Sequence, residues 1–121
     1  MSAITIRSKP TNVSFTFKNN YSISISIGPH AYCSSASQSY KHFEDNEYGI
    51  HAVNAEIAII NPDGKFHRIA GQDDDVVGWV PPEKIIEVAY WTSVGDMESV
   101  AKILEHSKKK EKDNGTSSRK L

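Results

Sequence analysis

The sequence predicts an α+β domain, a mostly antiparallel sheet of five or six strands with two C-terminal helices packed on one face. Three observations carry that expectation. Val13–Phe17 and Tyr21–Ile27 (YSISISI) alternate apolar and small polar residues, which marks strands with one buried face. From Pro82 onward the apolar period is helical. Between these regimes lies Gly71–Ile86 (GQDDDVVGWVPPEKII), where an acidic turn leads into a short apolar strand and Pro81-Pro82 opens a helix. A chain that turns so sharply from sheet to helix packs the helix back over the sheet, which assigns Val77, Trp79, Ile85 and Ile86 to the core.

Ala3–Arg7 forms the first strand and Pro10 breaks it. The loop between the next two strands sets their register. A two-residue turn at Asn19-Asn20 would put Phe17 opposite Ser22, apolar against polar. A three-residue loop, Lys18 to Asn20, pairs Phe17 with Tyr21, Phe15 with Ile23 and Val13 with Ile25, and so buries one face and wets the other. This register requires Asn20 in the left-handed conformation. Ser22, Ser24 and Ser26 then line the second face, either as a solvated surface or as the floor of a polar groove.

Gly28-Pro29 ends the hairpin, and the two dozen residues after it have no clean period. A connection this long is more often functional or mobile than decorative. Ala55–Ile60 and Lys65–Ile69 form a second hairpin through Asn61-Pro62-Asp63-Gly64, with Gly64 supplying the positive φ that closes the turn. The near-continuous apolar run Ile57–Ile60 suggests a central strand covered on both sides. Val76–Val80 is a further strand. Ile85, Ile86, Val88, Ala89 and Trp91 form one helical stripe; after Gly95, Asp96 caps a second helix, Met97–His106, with Val100, Ala101, Ile103 and Leu104 inward.

A chain of 121 residues is long enough for a core that needs no metal or disulfide. Residues 1–107 make one domain, and 108–121 read as a disordered basic tail. No apolar run is long enough for a membrane span, and Arg7, Lys9 and Pro10 interrupt any leader. The single cysteine, Cys33, cannot form an internal disulfide, which fits a reducing compartment. The net charge of −1 conceals an asymmetry: residues 108–121 hold six Lys/Arg against two Asp/Glu, and the remainder eight against thirteen. A domain this acidic is poorly suited to gripping a nucleic-acid backbone.

No catalytic or cofactor signature is present. Asp73-Asp74-Asp75 alternates sides on an extended chain and lacks calcium-loop spacing, so it reads as a solvated or partner-facing acidic turn rather than a metal site. Cys33 with His30, His42 or His51 has the residue types of a thiolate hydrolase but no third orienting group, so a small buried role is the simpler reading. The histidines have no zinc-ligand spacing. Tyr32, Tyr40, Phe43 and Tyr48, on the irregular connection, are better placed than Trp79 or Trp91 to stack on a ligand, while both tryptophans read as core. The candidate ligand-binding set is therefore His30, Tyr32, Tyr40, Lys41, His42, Tyr48 and Arg68, with Lys41 and Arg68 as anion partners. The candidate partner-binding set is Glu44, Asp45, Glu47, Asp73, Asp74 and Asp75.

The run from Phe17 to Cys33 (FKNNYSISISIGPHAYC), the segment Asn54–Ala58 (NAEIA), the Pro62-Asp63-Gly64 turn and Asp75–Glu83 (DVVGWVPPE) together resemble a group of small tailed-bacteriophage proteins. That group carries an F-x-N-G-Y strand, a G-P-x-x-Y-C corner, an A-E-V-A strand and a similar strand-to-helix turn. The resemblance departs at Asn20, where the group has glycine. It implies a setting rather than a reaction: a phage accessory protein in the host cytoplasm that antagonises host defence by binding, without cofactor. Two mechanisms fit. One is sequestration of a nucleotide-like signal by the connection after Gly28 and the open sheet face; the other is an acidic inhibitor of a host protein. A Cys33-dependent hydrolase is a third class. A sheet with helices on one side leaves a face bare, which favours a homo-oligomer.

Overall fold

The computed structural model describes residues 2–8, 11–28, 31–34 and 51–105. Its sheet has six strands: β1 (Ala3–Ser8), β2 (Thr11–Thr16), β3 (Ser22–Ile27), β4 (Ala55–Ile60), β5 (Phe66–His67) and β6 (Val76–Val80). All pairings are antiparallel, in the order β1-β2-β3-β4. The far edge of β4 is shared end to end, β5 pairing with Ile59–Ile60 and β6 with Ala55–Ala58. Helix α1 (Pro82–Ser93) and a second helix, α2, covering residues 97–105, complete the α+β architecture. No helix among the described residues is long and apolar enough to cross a membrane.

The β2–β3 register is the one expected from the alternation. Phe15 lies opposite Ile23 and Val13 opposite Ile25. Phe17 and Tyr21 close the loop through a 2.9 Å bond from Phe17 N–H to Tyr21 O, and Asn20 has φ 69°. The second hairpin keeps its turn, with Gly64 at φ 85° and its N–H 2.9 Å from Asn61 O. Its outgoing strand is much shorter than Lys65–Ile69, because only Phe66 and His67 pair before Arg68 and Ile69 leave the edge to make room for β6.

Ile23, Ile57 and Ile59 from the sheet meet Val88 of α1 and Val100 and Leu104 of α2, and all six are fully buried. Each contributes about 1.5–3 kcal/mol by leaving water. Ala58, on the opposite face of β4, is buried too, so this central strand is covered on both sides at its middle. In α1 the inward row is Ile85, Val88, Ala89 and Thr92, the i, i+3, i+4, i+7 pattern. Ile86, assigned to the core from sequence, is 70% exposed, because it lies one residue, or about 100°, off that row.

The helices are tied to the β2–β3 turn at a specific point. Asn19 Nδ2 donates to the carbonyls of Thr92 (3.0 Å) and Ser93 (3.2 Å), two of the C-terminal acceptors that α1 cannot satisfy itself. Asn19→Ala is expected to lower stability by about 1 kcal/mol and to speed amide exchange around Gly95, which hydrogen–deuterium exchange can read.

Asp96 caps α2 as expected: its Oδ1 accepts the Ser99 N–H at 3.0 Å and its Oδ2 the Ser99 hydroxyl at 2.9 Å. The Ser99 backbone donor first, then the Ser99 hydroxyl and the Lys102 charge, hold this carboxyl below its ordinary 3.8. A depressed folded value means the cap stabilises fully above the unfolded value and is lost as pH falls through the lower folded one. Asp96→Asn is therefore expected to lose less Tm than the native protein between pH 7 and pH 3.

Candidate functional site

Two concave sites lie on opposite sides of β4. The larger is a groove of about 380 Å³ on the polar sheet face, lined by Thr5, Arg7, Asn12, Ser14, Ser22, Ser24, Ile60 and Phe66. It follows from the hairpin register. With Val13, Phe15, Ile23 and Ile25 facing the helices, Asn12, Ser14, Ser22, Ser24 and Ser26 must share the other side. Strand β1 extends that side with Thr5 opposite Ser14 and Arg7 opposite Asn12. At the other border, Ser22 pairs with Ile60 and Ile60 with Phe66. Phe66 is 54% exposed, a large ring left in solvent at the groove's edge.

The floor of this groove is ordered around Asn12. Its Nδ2 stands 2.8 Å from Ser24 Oγ, 2.7 Å from Ser26 Oγ and 3.2 Å from the Ile25 carbonyl oxygen. A carbonyl can only accept, so the Ile25 contact fixes which way the amide points. Ser14 Oγ donates to Asn12 Oδ1 at 3.1 Å. The two amide protons are shared among Ser24, Ser26 and the Ile25 carbonyl; Ser24, which lines the groove, keeps its own proton for a visitor, whereas Ser14 spends its proton on Asn12. The groove presents the Ser24 hydroxyl as a donor between a guanidinium at one border and an apolar ring at the other. It is suited to a ligand with oxygen acceptors at one end and a flat apolar part at the other.

The second site is a cleft of about 220 Å³ lined by Tyr32, Gln72, Asp73, Asp74, Val76, Val77, Gly78 and Trp79. A register shift in the β4–β6 pairing builds it: Ile57 faces Val77 and Ala55 faces Val80, so Gly78 and Trp79 together oppose Glu56. The bulge puts Trp79 at φ 53° and turns its ring outward, 43% exposed. This corrects the assignment of Trp79 to the core; Val77 and Val80 fill the core on either side of it. A bulky residue at positive φ is strained backbone, a state that clusters at functional positions.

Tyr32 joins β6 at this bulge. Its carbonyl accepts the Trp79 N–H at 2.8 Å, its own N–H donates to Glu56 Oε2 at 2.8 Å, and its ring stacks on Trp79 with centroids 5.5 Å apart. A Cβ on residue 78 would lie 3.0 Å from the Tyr32 carbonyl oxygen and closer still to Tyr32 Cβ, so only glycine admits the approach.

Of the sequence-derived ligand set, Tyr32 lies in the cleft, and Arg68 lines neither site, because its Nε binds Asp75 Oδ1 at 3.2 Å. His30, Tyr40, Lys41, His42 and Tyr48 lie outside the described residues, as do Phe43, Glu44, Asp45, Glu47 and the tail. Asp73 and Asp74 rim the cleft, whereas Asp75 belongs to the Arg68 pair. Cys33 is buried and His51 exposed, and Trp91 is partly buried against the core. No group of three potential metal ligands occurs among the described residues. Sequence reasoning missed Arg7, Asn12 and Phe66; the alternation T-N-V-S-F-T already placed Asn12 with the serines.

Compared with protein-family models, curated proteins and solved structures, the chain matches none of them.

Proposed function

We propose that the chain is a phage accessory protein acting in the host cytoplasm by binding rather than catalysis, and that it antagonises host defence by sequestering a nucleotide-like signal on the polar face of its sheet. The observation that carries this reading is the donor polarity at the groove's centre: Asn12 donates to Ser24 and leaves the Ser24 proton for a ligand oxygen. Arg7 supplies the cation a phosphate requires, and the exposed Phe66 ring supplies a surface for a base. Its volume of about 380 Å³ is that of a small-ligand site.

Calorimetric titration with adenosine monophosphate and with a cyclic dinucleotide tests the class. The expected result is saturable binding of at least one, weakened about tenfold or more by Arg7→Ala, as loss of one charge-assisted bond entails. Equal binding by Arg7→Ala would contradict the assignment. Cys33→Ser is expected to leave capture unchanged, since Cys33 is buried and lines neither site; loss of activity in that variant would revive the hydrolase reading.

The same proposal includes a second copy of the chain on β1. This edge strand exposes Ile4 (66%) and Ile6 (77%) beside an apolar hollow lined by Ile6, Val13, Ile25 and Ile27. An open strand edge accepts another strand, and antiparallel self-pairing about Thr5 sets Ile4 of one copy opposite Ile6 of the other. Light scattering is expected to give a dimer and Ile6→Lys a monomer; a monomeric native protein at tens of micromolar removes this part.

A further inference from the structure

The cleft on the other side of β4 has the opposite chemistry from the groove. Its walls are aromatic and aliphatic, and the charged groups lining it, Asp73 and Asp74, are both acidic and exposed. Arg68, the basic residue of the same segment, is held by Asp75 and does not line the cleft. A phosphate is repelled there.

The cleft therefore asks for a group with two properties: a positive charge for the carboxylates and a flat face for the rings.

We propose that this cleft binds an arginine side chain of a partner peptide or protein. The guanidinium is flat enough to lie against Trp79 or Tyr32, and its fork of donors matches carboxylate oxygens. Lysine fits less well, because its compact ammonium has no planar fork. A space of about 220 Å³ admits one such side chain rather than a folded segment. The strained Trp79 backbone and the close approach at Gly78 hold the two rings at this spot before any partner arrives, which lowers the ordering cost of binding. This inference is independent of the nucleotide-like ligand, since the two sites share no lining residue.

The test follows the Trp79 indole N–H by two-dimensional NMR while the full chain is titrated with the peptide acetyl-Gly-Arg-Gly-Arg-Gly-amide, and then with the same peptide carrying citrulline, the neutral isostere, in place of arginine. The expected result is a saturable shift at Trp79 and Gly78, at least tenfold weaker with citrulline and at least fivefold weaker in the Asp73→Asn/Asp74→Asn double variant. Both positions are exposed, and asparagine keeps an oxygen where Asp74 Oδ1 accepts the Asp75 N–H; Trp79→Phe, which keeps a ring, is a second variant expected to retain part of the affinity. Equal shifts with citrulline, or shifts spread over Glu83, Glu87 and Glu98 with Trp79 unmoved, would overturn the proposal.

Discussion

Gly78→Ala is expected to destabilise the protein by about 1–3 kcal/mol, the range for inserting a methyl group into filled space, and to detach Tyr32 from β6. The added Cβ meets the Tyr32 carbonyl oxygen at 3.0 Å and overlaps Tyr32 Cβ, and neither atom can rotate away as the end of a flexible side chain could. Relief requires the 31–34 backbone to lift, which breaks the Trp79-to-Tyr32 and Tyr32-to-Glu56 hydrogen bonds together. The other anchors of this segment, Ser34 N–H to Asn54 Oδ1 at 2.7 Å and Val53 N–H to Ser34 Oγ at 2.9 Å, resist that movement. Urea denaturation followed by tryptophan fluorescence reads both effects: a lower midpoint, and a more water-exposed indole in the native baseline. Native stability with unchanged emission would mean that Tyr32 does not pack on residue 78.

Asn12→Asp is expected to weaken capture on the polar sheet face by more than tenfold. Asparagine presents its amide protons to Ser24 and Ser26; a carboxylate in the same shape presents acceptors, so both hydroxyls turn inward and donate to it. The groove then offers lone pairs and a negative charge where it offered protons. The Ile25 carbonyl, 3.2 Å from the present nitrogen, faces a second acceptor, so a loss of stability of about 1–3 kcal/mol accompanies the change. Asn12→Ala is the control: it removes the orienting donor without adding charge and should bind more weakly than the native chain but better than Asn12→Asp. Titration of the two variants beside the native protein ranks them, and an Asn12→Asp variant that binds like the native chain would show that donor polarity does not govern recognition.

The two substitutions also mark the limits of what the sequence reveals. The β2–β3 register was legible because one register alone separates Phe15, Ile23 and Ile25 from Ser22, Ser24 and Ser26, and because Asn20 tolerates the φ of 69° that its loop demands. The polar face came with that register. Its borders did not: the Ile4-Thr5-Ile6-Arg7 alternation sets Thr5 and Arg7 on one face but not the register of β1 on β2 that brings Arg7 beside Asn12, and Phe66 reads like a core residue until β5 is seen to end one position later.

The VVGWV strand shows a different failure. Strict alternation sends Val77 and Trp79 to the same side, but the bulge opposite Glu56 spends one extra residue, so Val77 and Val80 face the core and Trp79 faces out. Gly78 was the only local hint. Its reason, the approach of Tyr32 from 46 residues earlier in the chain, is a tertiary contact that no local pattern encodes. Similarly, Ile86 follows Ile85 in sequence yet lies on another side of α1, since the row is set by Val88 and Thr92.

The central claim is that the donor groove holds a nucleotide-like molecule, and native mass spectrometry tests it most directly. The protein is incubated in extract of phage-infected bacteria, repurified and sprayed intact beside the Arg7→Ala and Asn12→Asp variants. The predicted result is a discrete added mass of a few hundred daltons on the native chain, absorbing near 260 nm as a nucleobase does once released by heat, and absent from both variants. A native chain that remains unliganded, or variants that carry the same added mass, would contradict it.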